Sequence, residues 1–180
     1  MEKNLAYIAL FAALIAVLGL VPKIDLISGV PITAQSMGVM LCGTVLGAKR
    51  GALAVVLFLV LVALSLPLLA GGRGGLGVFA GPSVGYLIGF PVAAFVAGLV
   101  MERWRAPVPV AALAGAVLGG VVVLTAFGIL GMSVMLDKTL PEAALLALPF
   151  LPGDLIKAVL TAGVTASIAQ MRPGALLSRA

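Results

Sequence analysis

The sequence predicts an all-α integral membrane protein, a single domain over residues 1–180 with six transmembrane helices and both termini in the cytoplasm. Of its 180 residues, 63% are hydrophobic and 9% charged, against about 25% charged in a water-soluble domain. Several apolar runs approach the roughly 20 residues that cross a bilayer core as a helix. The ~10-residue polar–apolar alternation of a membrane β-barrel is missing.

The first helix is expected over 4–21, stopping at Pro22. Its run "MEKNLAYIALFAALIAVLGLVPK" has the outline of a signal peptide, but it is longer than the usual apolar core and lacks an A-x-A-like cleavage site. It is taken as a retained helix. The second, 34–47, is short for a full span. "AKRG" then turns the chain into the third, 52–70, and a glycine-rich loop leads to the fourth, 83–101. "ERWRAPVP" opens the fifth, 110–130, and a longer connection with an interfacial helix around 141–148 precedes the sixth, 154–171.

Orientation follows from the basic residues. An inside N-terminus places Lys3, Lys49, Arg50, Arg103, Arg105, Arg172 and Arg179 in the cytoplasm. Lys23, Arg73, Lys138 and Lys157 then lie outside, offset by Asp25, Asp137, Glu142 and Asp154. Seven against four satisfies the positive-inside rule. The net charge of +5 therefore belongs to topology: no basic stripe points to nucleic acid. Cys42 is alone in an apolar run and histidine is absent, so no metal site or His-dependent chemistry is expected. No phosphate-binding G-x-x-x-x-G-K-[ST] loop or catalytic constellation is present, and no enzyme or cofactor is expected.

"GGRGGLG" contains G-x-G-x-x-G at Gly72, Gly74 and Gly77, but it follows a long apolar helix, and the next acidic residue, Glu102, closes another helix. A dinucleotide turn needs a strand before it and an acidic residue about 20 positions on. The nucleotide reading fails. Gly81, Gly85, Gly89, Ala93 and Ala97 instead recur every fourth residue, a ridge suited to close helix packing in lipid. Ala9/Ala13, Ala12/Ala16 and Gly43/Gly47/Gly51 offer further small-residue faces, for internal packing or for a partner protein.

Ligand-binding candidates are the residues that membranes tolerate poorly. "PGDLIK" sets Asp154 and Lys157 at i and i+3 on one helix face, either a binding pair or a helix cap with a lysine reaching back to the interface. Lys157 suits a carboxylate; Asp154 accepts from N–H groups. Arg73 with Gly72, Gly74 and Gly75 forms either a loop folding over a small ligand or a flexible turn. Thr33 and Gln35 in "PITAQS" carry hydrogen-bonding groups at the outer start of the second helix, and Gln35 is equally a cap or interhelical link. Tyr86 is a pocket wall or an interface anchor.

The linear combination P-x-T-x-Q, G-x-K-x-G, GGxGG and GPxxGY, followed by "LPGDLIKA", resembles the BioY family, the biotin-binding S components of energy-coupling-factor (ECF) transporters. Two departures are mild: "GAKRG" has an extra basic residue, and "GPSVGY" carries Ser83-Val84 where Thr-Gly is common. The resemblance implies a six-helix subunit in the bacterial cytoplasmic membrane. It would bind biotin near the external face and work with a transmembrane coupling subunit and partner ATPases. It assigns the ligand to Gly72, Arg73, Gly74, Gly75, Tyr86, Asp154 and Lys157, and a coupling-subunit contact to Ala9 and Ala13. Biotin's carboxylate, ureido ring and apolar body fit a site offering Lys157 or Arg73, Asp154 and aliphatic walls. An S component for another vitamin and a ligand-free membrane scaffold are the alternatives.

Overall fold

The structure, a computed structural model, describes residues 2–179, so the two outermost positions of the expected domain lie outside the described residues. Seven α-helices organise it: α1 Glu2–Leu18, α2 Gln35–Leu46, α3 Ala48–Ala63, α4 Val84–Arg103, α5 Val108–Met135, α6 Leu140–Ala147 and α7 Leu151–Met171. No β-strand occurs among the described residues; Ile24–Ile32 and Leu69–Arg73 form isolated bridges. Among the described residues, three stretches are long and apolar enough to cross a membrane: Val84–Arg103, Val108–Met135 and Leu140–Met171.

Each of the six expected segments is occupied by a helix, with shifted ends. The third ends at Ala63 rather than at 70, because the chain turns through Ser65 (φ 71°) towards Pro67, which cannot continue a helix. The fifth runs to Met135 and ends before Asp137, which adopts φ 50°. A short helix, α6, occupies the 141–148 region of the connection. Its N-cap residue Thr139 donates from N–H (2.8 Å) and hydroxyl (2.7 Å) to the Glu142 carboxylate, which satisfies the N-cap N–H at the helix start.

Helix α2 is the centre of the bundle. It has only 12 residues, about 18 Å, and all but Met37 are buried against α1, α3, α4, α5 and α7. A break at Gly47 (φ 87°) separates it from α3, and Glu102 accepts the freed Ala48 N–H at 2.8 Å. A Cβ on Gly51 would lie 2.5 Å from the Cys42 carbonyl oxygen, so the Gly43/Gly47/Gly51 face serves this internal corner.

The small-residue ridge of α4 packs as its spacing suggests. Gly85 and Gly131 meet backbone to backbone, Gly89 faces Phe127 and Leu124, and Gly119 of α5 lies over Ala93 and Ala97. On the other side Gly43 faces Ala94 and Ala97. Backbones approaching this closely gain the dispersion contacts that hold helices together in lipid. The ridge starts at Gly85: nothing lies within 4 Å of a Cβ on Gly81. Around Ala116–Val123, α5 widens into π-helical turns whose Gly120 receives the Met40 side chain. On α1, Ala12 and Ile15 are buried, whereas Ala9 and Ala13 face outward beside Leu10 and Val17.

Candidate ligand-binding site

Asp154 lies in the first turn of α7, and Lys157 follows one turn later. Lys157 Nζ is 2.9 Å from Asp154 Oδ1 and donates to Ser36 Oγ at 3.0 Å. The Ser36 hydroxyl donates on to Asp154 Oδ1 at 3.4 Å. These contacts link α7 to the start of α2, and Asp154 is only 4% exposed. A charge pair this deep is costly unless it is satisfied or used. Both partners retain capacity. Lys157 has three donors and fills two, and Asp154 Oδ2 has no partner among the described residues.

Around the pair lie Thr33, Tyr86, Phe90, Leu124 and Phe150, enclosing a cavity of about 40 Å³. The Tyr86 and Phe150 rings sit 5.4 Å apart, tilted by 32°. The Tyr86 hydroxyl is buried with no hydrogen-bond partner, although such groups usually find one. Its ring lies against Gly128, where any Cβ would collide with it. The cavity thus presents a cation, an anion and an unused hydroxyl within aromatic walls. Pockets for drug-sized ligands typically measure about 300–1,000 Å³, so this cavity is small for one as it stands. Phe150 belongs to the short 3-10 turn Leu148–Phe150 between α6 and α7, and Thr33 to the irregular chain that leads into α2.

The glycine loop is placed separately. Gly72, Arg73 and Gly74 line a more open depression of about 400 Å³ with Gly29, Pro82 and Ser83. Gly71 (φ 80°), Gly72 (φ 70°) and Gly75 (φ 84°) adopt the left-handed backbone that their missing Cβ permits. Leu69 and Arg73 exchange N–H···O bonds of 3.0 and 3.2 Å across this turn, and Gly75 N–H donates to Val62 O at 2.7 Å. Gly75 does not line the depression. Backbone hydrogen bonds thus pin the loop at two places. Arg73 Nε donates to Ala70 O at 3.3 Å, and its guanidinium pairs with no carboxylate among the described residues.

Gln35 staples this turn in place. Its amide donates to Ile15 O (3.1 Å) and Leu68 O (3.0 Å) and accepts from Ala70 N–H (3.1 Å). Of its three readings, ligand contact, helix cap and interhelical link, these bonds are those of the link. Thr33 lines the cavity while accepting the Gln35 N–H at 3.3 Å. The structure thus brings together Thr33, Tyr86, Asp154 and Lys157, and keeps Gly72, Arg73 and Gly74 in a neighbouring depression. Ser36, Phe90, Leu124 and Phe150 were not among the sequence-level candidates. Ser36 had a local signal, its place beside Gln35 in "PITAQS"; the apolar three had none in so apolar a chain.

The sequence profile of the BioY family matches residues 2–174. A biotin transporter BioY from Rhodobacter capsulatus is 56% identical, the alignment covering 99% of this chain and all of that one. A second, from Rhizobium etli, is 47% identical over 89% of each chain. Among solved structures, a 2.1 Å crystal structure of the S-component for biotin from an ECF-type ABC transporter superposes with a TM-score of 0.89. That chain is 34% identical, the match covering 94% of this chain and 92% of the other.

Proposed function

The chain belongs to the BioY family, and from that membership we propose that it is the substrate-capture subunit of a biotin importer. It takes biotin from outside the cell and delivers it through an ECF-type transporter. Energy comes from partner ATPases through a transmembrane coupling subunit. Six helices cross the bacterial cytoplasmic membrane, α2 as a short buried span, with both termini inside. The segregation of charge supports this orientation. Asn4, Arg50, Glu102 and the C-terminal turn meet at one end of the bundle, whereas Asp154 and Lys157 meet Ser36 at the other end of α2. The outward Ala9/Ala13 face of α1 suits a helix of the coupling subunit.

One observation carries the ligand reading: the buried Asp154–Lys157–Ser36 cluster facing the unpartnered Tyr86 hydroxyl. A ureido group combines N–H donors with a carbonyl acceptor, and this cluster offers Asp154 Oδ2 to the former and Lys157 or Tyr86 to the latter. A carboxylate there would meet the Asp154 charge. The biotin carboxylate, at the far end of the molecule, instead reaches Arg73 across the Ser83–Tyr86 turn. The thiophane body packs on Phe90, Leu124 and Phe150. The binding test is calorimetric titration of the chain in detergent micelles with biotin, riboflavin and thiamine. Heat from biotin alone is expected, and none from biotin at micromolar concentrations overturns the reading.

A further inference from the structure

A second polar cavity, of about 590 Å³, opens at the opposite end of the bundle. It lies between the start of α1 (Asn4), the first turn of α3 (Ala48, Lys49, Arg50) and the last turns of α4 (Phe95, Leu99, Glu102, Arg103). Three cations face one carboxylate, and that carboxylate is occupied as the acceptor for Ala48 N–H. Arg50 is held by neutral partners, the Asn4 side chain at 3.3 Å and Leu177 O at 3.0 Å, so its charge is positioned and not cancelled. None of Lys49, Arg50 and Arg103 has an ion-pair partner among the described residues. One wall continues along α4 as Leu99 and the outward Phe95, which is 39% exposed. A polar, doubly positive head thus runs directly into an apolar flank.

We propose that this cavity binds the phosphate headgroup of an anionic phospholipid of the cytoplasmic leaflet, its acyl chain lying along Phe95 and Leu99. The proposal rests on the membrane orientation given above and is independent of the identity of the external ligand. Basic pockets between helices on the cytoplasmic side are suited to such headgroups. Bidentate guanidinium–phosphate bonding from Arg50 or Arg103 gives the contact direction as well as charge. A free phosphate would share the head chemistry but leave the apolar wall unused.

The test is native mass spectrometry of the full chain released from micelles containing dioleoylphosphatidylglycerol or dioleoylphosphatidylcholine. The parent should retain the anionic lipid preferentially. K49Q/R103Q leaves the Arg50 contacts intact and should weaken that preference roughly 25-fold, at about five-fold for each cation. R105Q, an exposed arginine outside the cavity, should change it less than two-fold. Equal retention of both lipids overturns the proposal, as does an equal effect of R105Q, which indicates diffuse surface charge. Displacement of the lipid by equimolar inorganic phosphate also overturns it. Biotin titration of K49Q/R103Q checks the fold: unchanged binding assigns a lost lipid preference to the cavity. A variant too unstable to bind biotin is replaced by R103Q, for which about five-fold is expected. Failure of the biotin reading leaves the lipid result standing, because the readout is bound lipid mass.

Discussion

Asp154 and Lys157 permit a prediction in which stability and binding separate. In Asp154→Asn, the Lys157 ammonium loses its 2.9 Å charge partner and is left with neutral acceptors alone, Ser36 and the new amide oxygen. In Lys157→Met, a carboxylate whose side chain is 6% exposed keeps only the 3.4 Å bond from Ser36. Removing one partner of a buried pair costs about 3–5 kcal/mol. Lysine can extend toward the interface on its flexible stem and recover hydration, which a short aspartate cannot. Lys157→Met is therefore the more damaging single change, at about 4 kcal/mol against about 2–3 kcal/mol for Asp154→Asn. The double variant removes both charges while keeping similar volumes, and its stability should lie within about 1 kcal/mol of the parent. At about 2–4 °C per kcal/mol for a chain of this size, Lys157→Met lowers the midpoint by roughly 8–16 °C and the double variant by less than about 4 °C. Thermal unfolding in micelles without biotin measures this. Biotin binding, by calorimetry on the same samples, should fall at least about a hundredfold in all three, since each loses charge-assisted bonds to the ligand. Strictly additive destabilisation, or a double variant that binds biotin normally, refutes the reasoning. The first would mean that the two charges do not depend on each other. The second would mean that they form a helix cap of no consequence to the ligand.

Three further outcomes follow. Arg73→Gln should abolish the preference for biotin over the neutral biotin amide, a loss of roughly tenfold or more, while the amide binds as it does to the parent; calorimetry with both ligands decides. Gly128→Ala should push the Tyr86 ring toward Phe150 and cost about 1–3 kcal/mol of stability through overpacking, with biotin affinity falling at least about tenfold. Ala9→Leu with Ala13→Leu should leave the melting midpoint and biotin affinity within experimental scatter, because both positions face outward. Co-purification with a co-expressed coupling subunit should be lost.

The helices were legible because each satisfies its own backbone, so an apolar run of sufficient length declares itself. Their ends were less so. The run 52–70 stays apolar past the point where the chain turns, and only Pro67 hints that Leu64–Ser65 leaves the helix. Residues Gly131–Met135 look like a polar connection yet continue α5, held by the meeting of Gly131 with Gly85. That contact depends on a separation of more than forty residues, which no local pattern encodes. The site divides in the same way. Asp154 and Lys157 share a face by helical spacing alone, so their pairing could be read directly. Ser36 and Gln35 are adjacent, but successive residues on a helix point about 100° apart. Which of them meets α7 and which turns to the glycine loop depends on how α2 is rotated in the bundle. The separation of Arg73 from Lys157 into neighbouring cavities is likewise a tertiary fact. It divides the two cations that the sequence offered interchangeably for one carboxylate.

The most direct test is an experimental structure of the chain with biotin bound. The ureido ring should lie among Ser36, Tyr86, Asp154 and Lys157, in a cavity enlarged from about 40 Å³ by displacement of the Phe150 turn. The carboxylate should then lie toward Arg73. A ring seated in the Gly72–Ser83 depression, with Asp154 and Lys157 still paired at 2.9 Å and Tyr86 still unpartnered, would contradict this account.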